Sequence, residues 1–249
     1  MIRTRGLKVS RGGEPVLNGV DLEVEAGRIT TIIGESGCGK STLLRAVMRL
    51  IPVDGGEIWI EGRLINDLPE AKMDEVRKRM GMVFQEGALF DSMTVEENVA
   101  FPLRRHTRMS RGEISRVVGE RLEAVGLTDA RKKMPDQLSG GMKRRVAVAR
   151  ALALGPKILL YDEPTTGLDP ILTATILELI LKMRERYGTT TIVVTHDMRS
   201  AMKISDRIAM IHGGRIVEEG SVERIKSGSS PLMERFLQTD LDEGKVRHG

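Results

Sequence analysis

One cysteine, Cys38, stands in 249 residues. That excludes an internal disulfide and suits a reducing compartment. Aromatic residues are only 3% of the chain, too few for a base-stacking platform. No run of eighteen apolar residues occurs, so no segment is expected to span a bilayer. The opening Met1-Ile2-Arg3-Thr4-Arg5 leads into no apolar core of a leader, and no secretory signal is expected. Neither sign of charge dominates. Lys and Arg number 39 against 35 Asp and Glu, a formal net charge of +4. The charges are mixed along the chain, which reads as a solvated surface and not as a nucleic-acid footprint. Internal repeats and low-complexity tracts are absent as well. What remains is a globular balance, 40% hydrophobic and 30% charged, long enough for one large domain or two lobes sharing a site. A cytoplasmic protein is expected.

The first sixty residues read as strands joined by tight turns. Val16, Val20, Leu22 and Val24 partly alternate with polar residues, and Gly12-Gly13 marks a turn. Arg28–Ile33 is a short apolar strand running into a glycine-rich turn. Leu43, Leu44, Val47 and Leu50 then follow at helical spacing. Between Gly87 and Gly155 the character changes, with Ile114, Val117, Val118, Leu122 and Val125 recurring every three and four residues. This predicts a helical lobe over 87–155, inserted between two parts of an α/β core, 1–86 and 156–228. Ile158–Tyr161 and Thr190–Thr195 read as buried strands flanking a helix over Leu172–Arg186. Gly213-Gly214 sits at the tip of a predicted hairpin. The remainder, 229–249, is expected to be a polar, loosely held tail. Strands alternating with helices imply a mainly parallel sheet.

The glycine-rich turn is Gly34-Glu35-Ser36-Gly37-Cys38-Gly39-Lys40-Ser41, a full match to G-x-x-x-x-G-K-[ST]. It follows a strand and opens a helix, as a phosphate-binding loop requires. Its glycines let successive N–H groups point inward at phosphate oxygens, and the helix adds its positive end. Lys40 is expected to reach the β- and γ-phosphates of a nucleotide, Ser41 to bind Mg²⁺, and Thr42 to donate to the α-phosphate. Downstream, the apolar strand Ile158–Tyr161 ends in Asp162-Glu163. A strand end of this kind delivers a metal-binding carboxylate, Asp162, and a second acid, Glu163, able to orient and deprotonate water. Gln85 follows the apolar run Met82-Val83-Phe84, where its amide could touch both Mg²⁺ and water. His196 ends the strand over Thr191–Thr195, where it could reach a γ-phosphate.

Leu138-Ser139-Gly140-Gly141-Met142 opens another helix. It reads either as a capped helix start, with Ser139 as N-cap, or as a second anion-binding helix end. A resemblance decides between these. The order of the loop Gly34–Thr42, Gln85, Leu138–Gly141, Ile158–Glu163, Gly167-Leu168-Asp169 and His196 is similar to the ATP-binding-cassette ATPases over nearly the whole chain. The fold this implies is that of a P-loop NTPase: an α/β core with a RecA-like, mainly parallel sheet, an antiparallel N-terminal β subdomain and an inserted helical subdomain. It implies ATP and Mg²⁺ as ligands and a head-to-tail homodimer. In that dimer Ser139 and Gly141 meet the γ-phosphate of the partner's nucleotide, with Gly140 between them in the same nucleotide-binding turn. It also implies metal contacts from Ser41, Gln85 and Asp162, catalytic roles for Lys40, Gln85, Glu163 and His196, and membrane permease subunits as partners. Two positions depart from the family. Met142 replaces the usual glutamine, so its side-chain contact is lost or replaced by packing. Arg11 stands where an aromatic usually stacks on adenine, which leaves the base to the Arg11 guanidinium or to Val16.

The run Glu86–Val95 and then Asn98–Arg104 resembles ATPases of the maintenance-of-lipid-asymmetry (Mla/Mkl) type, as does the LSGGM ending. That resemblance implies phospholipid transport with an MCE-domain partner, at the inner face of the cell membrane. The alternative is an importer of amino acids or other small solutes. The surface over Gly87–Arg104 is expected to dock a helix of the membrane subunit.

Overall fold

The apolar phase of the first strand slips by one residue: Ile2 and Thr4 face inward, then Leu7 and Val9. A period-two strand can do this only through a bulge. The computed structural model, which describes residues 1–227, 230–234 and 236, places a register shift between Thr4 and Leu7. The chain divides into two compact units, Met1–Met73 with the chain from Thr190 onward, and Asp74–Thr189.

In the first unit β1 (Ile2–Arg11) and β2 (Glu14–Val24) form an antiparallel hairpin turning at Gly12-Gly13. β3 (Ile29–Ile33), buried along its whole length, leads through the glycine-rich loop into α1 (Lys40–Val47). β4 (Gly55–Ile60) and the two-residue β5 (Arg63–Leu64) complete a sheet of order β2-β1-β4-β5. The antiparallel N-terminal sheet expected from the sequence is therefore present. α2 (Glu70–Arg77) carries the chain onward.

The second unit contains β6 (Met80–Val83) and α3 (Val95–His106). α4 (Arg111–Ala124), two single 3₁₀ turns and α5 (Gly140–Ala151) follow, then β7 (Ile158–Asp162) and α6 (Pro170–Tyr187). Its composition is wider than the predicted helical lobe, because β6, β7 and α6 belong to it too. β6 and β7 pair in parallel, Met80 with Ile158 through Val83 with Tyr161. Thr94 with Glu97 and Ser110 with Glu113 close capping boxes at the starts of α3 and α4. Arg131 joins these two helices by donating to Glu96 and to the Ser115 hydroxyl, both at 2.7 Å. Asp169 caps α6 with Pro170 at the first helical position, and Gly188 ends it in the left-handed conformation.

The chain returns to the first unit with β8 (Thr190–Thr195), α7 (Met198–Ile204), β9 (Arg207–His212), β10 (Arg215–Ser221) and α8 (Val222–Ser227). β3 pairs in parallel with both β8 and β9, and β9 turns back on β10 at Gly213-Gly214. The predicted tail needs correction where it is described. Met233 is fully buried among Ile33, Met198, Met210 and Ile225, with Leu232 and Phe236 packed against the same cluster. Ser230 fastens the segment by donating to Glu218 at 2.6 Å. Three apolar side chains within five residues are enough to dock a short segment that composition labels polar. The rest of the expected tail lies outside the described residues.

One fully buried amide sets the start of the helical region. Asn98 accepts from Phe90 N at 2.9 Å and donates to the carbonyls of Phe90, Met93 and Thr94 at 3.0–3.1 Å. Asn98→Ala strands these groups and is expected to lower stability by about 2–3 kcal/mol. Thermal unfolding should show the midpoint falling by roughly 5–10 °C, and a fall under about 1 °C would show that this amide does not hold the loop.

Candidate functional site

The phosphate loop is shaped by what surrounds it. Gly34 (φ 156°) could not carry a side chain, since a Cβ would lie 2.5 Å from the Ile211 carbonyl oxygen and 2.7 Å from Cys38 Sγ. Gly39 (φ 106°), the N-cap of α1, would place its Cβ 2.8 Å from Leu17. Neither conformation suits an L side chain. α1 has no side-chain cap and no acid in its first turn, so its N-terminal amides face the loop. Lys40 is 6% exposed, and its Nζ donates to the carbonyls of Gly34 at 2.8 Å and Glu35 at 3.0 Å. Glu35, Ser36 and Gly37 are exposed, while Cys38, Ser41 and Thr42 are half-buried. Burial pushes the Cys38 thiol above its ordinary pKa, which makes it a poor nucleophile.

His196 arrives beside this loop. Ile33 and Thr195 are paired across parallel strands, so Gly34 and His196 leave the sheet side by side at its carboxyl ends. That is where ligands sit in open parallel sheets. His196 is exposed, and its loop is fixed by Asp197, which accepts from Ser200 N at 3.1 Å and caps α7. Of the two candidates for adenine, Val16 lies against the loop, its carbonyl 3.1 Å from a Cβ at Gly39. Arg11 is exposed at the end of β1.

In the second unit β7 delivers Asp162 and Glu163, both buried. Glu163 has φ +49°, a left-handed conformation rarely adopted by a residue with a side chain. Thr166 Oγ1 donates to its Oε2 at 3.0 Å. Val83 and Tyr161 are paired in parallel, so Gln85, which is exposed, and Glu163 leave neighbouring strands in the same direction. Arg150 on α5 holds the Gln85 loop by donating to the carbonyls of Gly87 and Ala88, both at 2.8 Å. Burial pushes its guanidinium pKa down. Ser139 is the N-cap of α5, and its Oγ accepts from Met142 N at 3.3 Å. Ser139 and Gly140 are exposed; Gly141 is buried, with a Cβ there meeting Leu172 at 3.1 Å. Met142 is half-buried.

Sequence reasoning missed Arg144, Arg150 and Thr166. Arg144 falls among Gly141, Ala147 and Val148 on the buried face of α5. An arginine inside an apolar stripe is a readable signal that a buried carbonyl or acid awaits it.

A phosphate loop, an acidic strand end and a serine-capped helix start are the parts of a nucleotide-binding hydrolase. The chain belongs to the ABC transporter family, whose model matches residues 17–166. It is 41% identical over 247 residues to the intermembrane phospholipid transport system ATP-binding protein MlaF of Haemophilus influenzae, covering 99% of this chain and 93% of that protein. It is also 42% identical over 236 residues to the methionine import ATP-binding protein MetN 1 of Pseudomonas putida, covering 94% and 70%. Among solved structures, the post-hydrolysis dimer of the ATP-binding cassette MJ0796 bound to ADP and Pi superposes with TM-score 0.81 at 35% identity, covering 89% of this chain and 99% of that one. CbiO1 of Clostridium perfringens superposes with TM-score 0.84 at 27% identity, covering 99% and 98%. The chain is thus an ATP-binding ABC ATPase, and no described helix is long and apolar enough to cross a membrane.

Lys40→Ala removes the one ammonium that the loop encloses. ATP affinity, measured by equilibrium binding of labelled nucleotide, is expected to fall by at least roughly tenfold. Unchanged affinity would show that this loop does not hold the phosphates.

Proposed function

We propose that this chain is the energy-supplying subunit of a phospholipid transporter, bound at the cytoplasmic face of the membrane to permease subunits and an MCE-domain protein. It works as a homodimer. Lys40 and the loop amides hold the β- and γ-phosphates, and Thr42 donates to the α-phosphate. Ser139, Gly140 and Gly141 serve the nucleotide of the second copy. The donors Ser41, Asp162 and Gln85 are all oxygen atoms, and Asp162 is a buried carboxylate at a strand end. Such a set fits Mg²⁺, which takes few protein ligands and keeps phosphates and waters as the rest. Mg²⁺ held by these residues would supply neutralisation of charge on the transferring phosphoryl group. Glu163 orients the attacking water and takes its proton, while His196 stabilises the γ-phosphate.

The observation that carries the partner reading is an aromatic pair at the surface. Phe90 and Phe101 are 40% and 39% exposed, with ring centroids 4.7 Å apart. The Arg150 guanidinium lies 5.8 Å from the Phe90 ring, and the same arginine grips the Gln85 loop. A helix seated on these rings would move the loop that carries Gln85. The lipid assignment rests on the resemblance of Glu86–Arg104 to Mla-type ATPases and on the MlaF relatives. The similar identity to methionine importers, 42% against 41%, favours a second reading, an amino-acid importer.

Glu163→Gln keeps the shape of the side chain and loses the base. Turnover should fall by about 10² to 10⁴ while ATP binding persists; a colorimetric phosphate assay within a few-fold of wild type would remove Glu163 from its role. Phe101→Glu should leave folding and ATP binding intact and abolish copurification with the membrane subunits. Identifying lipid in the intact complex supports the first reading. Methionine bound in its place would establish the second.

A further inference from the structure

Glu163 is linked to two residues that lie outside the recognised motifs, Thr166 and Arg144. Arg144, on the buried face of α5, donates through Nη2 to the carbonyl of Thr166. The Thr166 hydroxyl donates to Glu163 Oε2 at 3.0 Å. Glu163 itself sits in the left-handed region at φ +49°. A side-chain-bearing residue stays there only where its surroundings hold it. The loop supplies part of that hold, through Thr166 N to the Glu163 carbonyl at 3.4 Å and Leu168 N to the Thr165 carbonyl at 3.2 Å. The hydroxyl adds to it by bonding the carboxylate itself, which fixes where one of its oxygens points.

We propose that Thr166 is the positioning residue for the Glu163 carboxylate, and that Arg144 fixes Thr166 from α5. The inference rests on Glu163 being the general base and adds how it is aimed. α5 begins at Ser139–Gly141, where Gly141 packs closely on Leu172, a Cβ there lying 3.1 Å from its side chain. Arg144 is one turn further along the same helix. Any shift of α5 therefore moves the Thr166 carbonyl, the Thr166 hydroxyl and the carboxylate bonded to it. In each chain the helix capped by Ser139 also sets the aim of that chain's own base. The same helix holds the Gln85 loop through Arg150. One rigid element thus governs two groups that act on the attacking water.

The side chain of Thr166 is β-branched, so valine reproduces its shape and χ1 preference and removes only the hydroxyl. In the full-length chain at saturating Mg²⁺ and ATP, Thr166→Val is expected to lower kcat by roughly tenfold, the effect of a lost hydrogen bond to a carboxylate. KM for ATP should not change, because Thr166 takes no part in holding nucleotide. Thr166→Ser, which restores the donor, should return kcat to within about twofold of wild type. Arg144→Met keeps the alkyl packing and loses the tie. It should lower kcat alone, and the double variant Arg144→Met/Thr166→Val should be no slower than the worse single variant. Thr166→Ala replaces valine if the latter does not fold. A wild-type kcat for Thr166→Val, equal loss in the serine and valine variants, or a loss carried by KM would each overturn the proposal. Glu163→Gln is assayed in parallel: if it turns over normally, the base assignment has failed instead. If it is dead while Thr166→Val is normal, only the positioning role falls.

Discussion

A lysine ammonium buried inside a turn of glycines is the constraint around which the first unit is arranged. A buried charge must be hydrogen-bonded or it drives the site apart. Lys40 meets this demand with the Gly34 and Glu35 carbonyls, which the loop turns inward. The turn in its own right needs glycine at 34 and 39, because Ile211 and Leu17 stand where their side chains would be. Those two neighbours are fixed by sheet pairing: Ile211 on β9, beside β3, and Leu17 on β2. The hydrophobic strands thus decide where a cationic cradle can exist, and the cradle explains why β3 must be buried along its full length.

In both units the candidate site residues leave the carboxyl ends of neighbouring parallel strands. β3 and β8 release Gly34 and His196; β6 and β7 release Gln85 and Glu163. Such strands are held rigidly by their ladders, while the loops they release are not. Each loop is accordingly fastened by something other than the sheet. Asp197 turns the His196 loop into a helix cap, Arg150 holds the carbonyls after Gln85, and Arg144 holds the turn after Glu163. Arginine suits the last two tasks because its fork can reach a carbonyl while its stem packs among apolar neighbours.

Much of this was legible in the sequence because the information is local. The phosphate loop is a fixed spacing, and Thr190–Thr195 is bounded by polar and glycine signals that match the observed strand. The phase slip between Thr4 and Leu7 could also have been read, since inward residues change parity there. The missing parts are long-range. Arg150 lies more than sixty residues from the carbonyls it binds, and Arg144 lies twenty-two from Thr166. No spacing rule connects them. The left-handed Glu163 is likewise invisible, since glutamate has no preference for that conformation and takes it only under tertiary constraint. Met233 was hidden by composition, because a few apolar residues in a polar segment carry little weight until a hydrophobic cleft receives them.

The two helix starts that face anions in the proposed reading are capped differently, and the difference has a chemical reason. α1 begins at a glycine with no side-chain cap and no acid in its first turn, which suits a phosphate at that end. α5 begins at Ser139, whose Oγ already accepts from Met142 N. Aspartate would cap the helix as well as serine does. Its charge, though, would repel a γ-phosphate, and it has no proton to give. A serine hydroxyl accepts and donates at once. It can keep α5 capped with its lone pair while its proton goes to a phosphate oxygen of the second copy's nucleotide. The helix end then need not unravel when the phosphate arrives or when it leaves. Gly140 and Gly141 complete the requirement: the first keeps the approach open, and the second lets α5 pack against Leu172 so that the exposed serine stands on a fixed base.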